Sequence, residues 1–352
     1  QLFAPPAGDP KSNPTPAWSD LLNGLKIALP VTAADSTAAK TRVSNIIAKT
    51  MEIKTATITT PGQPDINIEY VLGDVFHADP VLVDRPNDFS FYSSNLYAKA
   101  GATDCTNNPG YQCFAKQQRR RRKMLLVGTN DGQLHAIDAG YWNQTSQIFT
   151  DGTGKEIFSY IPRLALPIVR DQAEKGREIF GVDGTPRVED VFLDPNHVGT
   201  PDATKREWRT VAIGGFREGG GIDGGGRMGD FVSGYYALDV THPDTLDASN
   251  NPTQQTVPSC IATDNSVVSG CGTLPFPAVL WEFTDAIGTS QLDEDHNGYV
   301  DLGQTWSVPT VGRIKVVESG KVVDKFVAVF GGGMDADNKI SPKRGNWIYM
   351  VD

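Results

Sequence analysis

The chain has few of the residues that do most enzyme chemistry. Five histidines and four cysteines are spread over 352 residues. There is no Gly-x-Ser-x-Gly elbow, no His-Glu-x-x-His pair and no lone cysteine poised near a histidine, so no catalytic set emerges. No apolar run approaches the ~20 residues that a membrane-spanning helix needs, which excludes a helical span. Basic residues are outnumbered, 32 Lys and Arg against 42 Asp and Glu, for a net charge of -10. That balance argues against general nucleic-acid binding and for a surface that tolerates divalent cations. No signal peptide is visible at Gln1, and the chain reads as a mature or excised fragment of something secreted.

What is present is an apolar content of 39% and 36 glycines, enough for a substantial core joined by many turns. The four cysteines fall as two close pairs in polar stretches, Cys105 with Cys113 and Cys260 with Cys271. A zinc site asks for shorter spacing or nearby histidines, so local disulfides are expected, and with them an oxidising, extracytoplasmic location.

The acidic stretch Asp293-Glu294-Asp295-His296-Asn297-Gly298-Tyr299-Val300-Asp301 sets oxygen donors at every second position, with a glycine where the loop must turn. Calcium takes about six to eight oxygens at flexible geometry. Asp293, Asp295, Asn297, the backbone carbonyl of Tyr299 and Asp301 are the expected ligands, with Glu294 and His296 pointing outward. Gln304 stands where an EF-hand carries its bidentate Glu, and neither flank reads as an amphipathic helix, so a compact loop between strands is expected. The plainer alternative is a surface turn capped by Asp, Asn and Gly.

Residues 1–68 are proline-rich at first and then carry two expected helices, near residues 18–27 and 36–51, as a small appendage or connecting segment. From about Tyr70 the chain repeats itself. An early proline followed by apolar residues occurs at Pro80-Val81-Leu82-Val83, Pro186-Arg187-Val188 and Pro309-Thr310-Val311. Each is followed by an apolar strand ending in glycine, at residues 124–128, 210–215 and 326–332, and then by a strand closing on Asp138, Asp239 or Asp352. A fourth strand is expected at residues 156–161 and 279–283, and the third copy stops before reaching its own. Four antiparallel strands repeated in this way predict an all-β fold, a β-propeller with long loop insertions. About three blades are expected, near residues 70–165, 180–285 and 303–352, within a region spanning 69–352.

Several stretches together resemble the PilY group of type IV pilus tip-associated adhesins and biogenesis factors, specifically their C-terminal, quinoprotein-like propeller. They are residues 73–81, 127–138, 158–162, 182–186, 208–211 and 234–240, in the same order. The resemblance implies a calcium loop governing pilus extension and retraction, with Asp293, Asp295, Asn297, Tyr299 and Asp301 in the ligand positions. It implies an extracellular protein at the pilus tip or outer cell surface, secreted through the periplasm. The implied partners are minor pilins and a host or abiotic surface, with no nucleic acid. No Arg-Gly-Asp tripeptide occurs, so integrin recognition has no support. Two other readings stay open: an enzyme of the pyrroloquinoline-quinone dehydrogenase type on a similar propeller, and a purely structural tip subunit.

The remaining candidates have plainer readings. The basic run Arg119-Arg120-Arg121-Arg122-Lys123 is expected to be a solvated strand entrance or a contact with an acidic partner. The glycine-rich residues 219–227 lead into a strand rather than a helix, which fits a connection and not a phosphate loop. His77 and His135 are expected to be packed, hydrogen-bonded histidines, and residues 334–338 a polar turn.

Overall fold

The computed structural model describes residues 5–11, 16–70, 72–105, 107–143, 145–176, 180–195, 203–222, 231–246, 252–254, 276–284, 301–318, 320–334 and 344–352. The chain opens with helices α1 (Pro16–Gly24) and α2 (Ala33–Thr50). Thr32 caps α2, accepting from the Asp35 amide while the Asp35 carboxylate accepts from the Thr32 amide. This reciprocal arrangement satisfies amides that have no partner within the helix. Ser36, Ala39, Val43, Ile46 and Ile47 are buried along α2, the three- and four-residue spacing of one helix face. A hairpin follows, β1 (Lys54–Ile58) with β2 (Ile66–Tyr70).

The first of three larger sheets contains β3 (Val81–Val83), β4 (Lys123–Gly128), β5 (Leu134–Gly140) and β8 (Glu156–Tyr160), hydrogen-bonded in that order and all antiparallel. Between β3 and β4 lie α3 (Phe89–Ser94) and α4 (Tyr111–Gln118), and between β5 and β8 a short ribbon of β6 (Trp142–Asn143) and β7 (Ile148–Phe149). Helix α5 (Leu166–Lys175), which carries Pro167 in its first turn and ends on the left-handed Gly176, leads to the second sheet.

The second sheet orders β9 (Arg187–Leu193), β10 (Glu207–Gly215), β13 (Tyr235–Asp239) and β16 (Ala278–Phe283), again antiparallel. Two short ribbons branch from it, β11 (Gly221–Ile222) with β12 (Phe231–Val232) and β14 (Asp244–Leu246) with β15 (Pro252–Gln254). The third sheet has three strands, β17 (Thr310–Glu318), β18 (Lys321–Gly331) and β19 (Ile348–Val351). The described chain is thus mostly β, with several antiparallel sheets and none closed on itself.

Each sheet starts immediately after its proline: Pro80 precedes β3, Pro186 precedes β9 and Pro309 precedes β17, and all three strands are sheet edges. A residue without an amide proton costs no ladder hydrogen bond there. The middle sheet is buried on both faces. Ala212, Tyr236 and Leu238 face a core shared with Met124, Leu126, Leu134 and Phe158 of the first sheet. Val211, Ile213, Tyr235 and Ala237 face a second core shared with Phe326, Ala328, Phe330 and Tyr349 of the third. Alternate side chains of one strand point to opposite faces, so residues 211–213 of β10 and 235–238 of β13 read as continuous apolar stretches where an edge sheet would alternate. A third core joins the N-terminal helices to the first connection: Trp18, Leu22, Val43 and Ile46 pack on Leu166 and Val169 of α5. Arg42 forms an ion pair with Glu174 at the same contact.

Candidate functional site

The expected calcium ligands divide sharply. Asp293, Asp295, Asn297 and Tyr299 lie outside the described residues, as do Cys260 and Cys271. Asp301 is described, and it is 3% exposed. Among the described residues no group of three or more His, Cys, Asp and Glu side chains is arranged to hold a metal.

The segment that leaves the acidic stretch is built into the junction between the second and third sheets. The Asp301 carbonyl accepts from the Gly345 amide at 2.7 Å, and Gly303 donates to the Gly332 carbonyl at 2.8 Å. Gln304 and Met334 exchange two backbone hydrogen bonds, at 2.8 and 3.0 Å. On the other side, Thr305 Oγ1 accepts from the Phe216 amide at 2.9 Å and the Arg217 amide at 3.0 Å, just past the end of β10. Gly333 permits the close approach: its φ is +87°, and a Cβ there would lie 1.9 Å from the Gln304 carbonyl oxygen. Asp301 is thus a buried carboxylate on a backbone held from both sides, and the other four expected ligands lie outside the described residues.

Beside this junction, segments leading into all three sheets meet. His77 Nδ1 lies 2.5 Å from Asp183 Oδ2, and the His77 amide donates to Asp183 Oδ1 at 3.1 Å. The His77 ring lies 5.9 Å from the Phe180 ring and 6.2 Å from that of Trp306. Arg217 sits over Trp306, 4.5 Å from the ring centroid. His77 is therefore hydrogen-bonded, as expected, with a partner 106 residues away that no local pattern announces.

His135 is also a packed histidine. Its Nδ1 is 2.5 Å from Glu156 and its Nε2 3.1 Å from Asp131. Burial works against its charge, but the hydrogen bonds and charges of the two carboxylates outweigh it and push the imidazole up to about 9. Asp131 also accepts from the amides of Gly73 and Gln133, which ties the β4–β5 turn to the segment before β3.

The basic run departs from expectation, because two of its members are interior. Arg121 is 6% exposed and donates to the Asp84 carbonyl and to Thr210 Oγ1 at 2.6 Å. Arg122 is 5% exposed, 2.9 Å from Asp138 and 3.0 Å from Asp244. A buried charge needs such partners, and these come from β5, the start of β10 and β14, all distant in sequence. Arg120 stacks on Trp142 and Lys123 on Phe149. The run is largely an internal tie between the first two sheets rather than a solvated entrance. The Cys105–Cys113 disulfide is present, pinning the loop before α4 to that helix.

Sheets, junction and disulfide define a mostly β protein of stacked antiparallel sheets. No helix among the described residues is long and apolar enough to cross a membrane. In sequence the chain is similar to curated type IV pilus biogenesis factors. A PilY1 homolog of Xylella fastidiosa is 32% identical over 178 residues, covering 50% of this chain and 11% of that protein. PilY1 of Pseudomonas aeruginosa strain UCBPP-PA14 is 26% identical over 292 residues, covering 80% of this chain and 17% of that protein. A further Xylella fastidiosa homolog is 26% identical over 270 residues, covering 76% of this chain and 12% of that protein. The PilY resemblance carried by the motifs therefore extends over much of the chain, which spans less than a fifth of the length of these relatives. No family profile and no solved structure matches it.

Proposed function

We propose that this chain is part of an extracytoplasmic type IV pilus biogenesis factor, a non-enzymatic binding protein whose acidic loop holds calcium. In this reading the three sheets are propeller blades near residues 70–165, 180–285 and 303–352, and residues 1–68 are an appended segment. Asp293, Asp295, Asn297, the Tyr299 carbonyl and Asp301 supply the oxygens, and the bound ion offsets the mutual repulsion of three carboxylates. The carrying observation is the anchorage of residues 301–306 to both the second and the third sheet. Ordering the loop is thereby tied to the contact between those sheets. A cation that binds only the ordered form favours it by mass action.

At the pilus tip such a bias would act on the balance of extension and retraction and on attachment to a host or abiotic surface, with minor pilins as neighbours. The names of the relatives support the pilus assignment. The test is calorimetric titration with calcium. One site of roughly micromolar to millimolar affinity is expected, lost in Asp293→Ala and in Asn297→Ala. Unchanged binding heats in both variants would count against this reading.

A further inference from the structure

His77, Asp183 and Trp306 occupy the same place in the three repeats, each three residues before the proline that starts its sheet. Their convergence is a consequence of the repeat, and it creates a nook that contains none of the expected calcium ligands. Asp183 is 1% exposed and fully engaged with His77. Because the imidazole Nδ1 faces that carboxylate, Nε2 is left toward the nook with no partner among the described residues.

Arg217 completes the site. Its backbone is left-handed at φ 54°, a conformation that is strained for a side chain such as arginine and is found at ligand sites more than elsewhere. Thr305 holds that conformation by accepting from both the Phe216 and Arg217 amides. The guanidinium stacks on Trp306, and Nη1 donates to the His77 carbonyl at 3.2 Å, whereas Nε is buried with no partner. Among the described residues no carboxylate lies within ion-pair distance of it. Among the described residues it is a cation without a counterion, in a chain of net charge -10. Exposed apolar surface adjoins it: Phe76 is 61% exposed and contacts the rings of His77 and Phe180.

We propose that this nook is a docking site for an acidic, apolar-flanked peptide segment of a partner protein. A partner carboxylate pairs with Arg217, while a neighbouring apolar side chain packs on Phe76 and Trp306. The fixed charge selects an acid, and the rings select what stands beside it.

The test is fluorescence anisotropy of a dye-labelled alternating Glu-Leu octapeptide, with Gln-Leu and Lys-Leu counterparts and an oligogalacturonate of equal charge. Saturable binding of the Glu-Leu peptide alone is expected, weakened roughly tenfold or more by Arg217→Gln and by Trp306→Ala. Arg119→Gln, which removes an exposed arginine far from the nook, should leave it unchanged. In the unmodified protein the peptide should also protect Arg217 from phenylglyoxal, read by peptide mass spectrometry, so the conclusion does not depend on the variants folding. Absence of saturable binding, equal loss in Arg119→Gln, unprotected Arg217, or tighter binding of the oligogalacturonate would overturn the proposal. Calcium plays no part in the assay, so its outcome is separate from that of the metal loop.

Discussion

Replacing Glu156 by Gln should shift the alkaline edge of stability, through His135. The imidazole is 1% exposed and held between Asp131 and Glu156, with its pKa raised from 6.5 to about 9. Because the folded value lies above the unfolded one, the stabilisation is complete below about pH 6.5 and is lost as the pH rises through about 9. The difference corresponds to ~3 kcal/mol at most, and solvent access to both carboxylates brings it nearer ~2 kcal/mol. Glu156→Gln keeps the shape and an acceptor oxygen but removes one of the two charges, so roughly half should go, and the loss should sit below about pH 9. Urea unfolding across this range measures the stability, and ring-nitrogen NMR of His135 measures the titration directly. A His135 that titrates at or below 6.5, or a pH-stability curve unmoved by Glu156→Gln, would refute the reasoning.

The basic run should divide by burial. Arg122→Ala strands Asp138 and Asp244 and should cost about 3–5 kcal/mol. Arg120→Ala loses a partly solvated stack on Trp142 and should cost about 1 kcal/mol or less by the same unfolding assay. The Cys105–Cys113 bridge closes a short loop, so Cys105→Ser paired with Cys113→Ser should lower stability by roughly 2–3 kcal/mol. Alkylation of the unreduced native chain should leave both residues unlabelled, and labelling of either would contradict the bridge.

Strands were the most legible part of the sequence, because two local signals coincide there. Pro80, Pro186 and Pro309 announce the edge strands, and the apolar runs ending at Gly128 and Gly215 announce their neighbours. The unbroken burial of β10 and β13 also has a local trace, since a sheet covered on both faces has no polar side to show. Helices α1 and α2 were legible within a few residues. The hairpin β1–β2 was not, although Ala56, Ile58, Ile66 and Ile68 share one face and alternate with Thr57 and Asn67. Its strands are short and solvent-exposed, and their signal is diluted by threonine and proline around them.

Helices α3, α4 and α5 were missed for a related reason: each is brief and takes its stability from tertiary packing, as Tyr111 and Phe114 do against Trp208. Burial of Arg121 and Arg122 was beyond local reading, because a charge run looks solvated until its partners arrive from other strands. The same holds for the nook at His77. Its members share a repeat position, but only the packing of three sheets brings them together. Of the expected metal ligands, Asp301 alone is among the described residues, and its burial at a clamped junction is the feature that spacing did not foretell.

The most direct measurement of the central claim is a crystal structure grown with calcium, with anomalous scattering recorded for the ion. The account predicts one peak surrounded by oxygens of Asp293, Asp295, Asn297, the Tyr299 carbonyl and Asp301 at about 2.3–2.6 Å. Those groups turned apart into solvent at saturating calcium, with no peak between them, would contradict it.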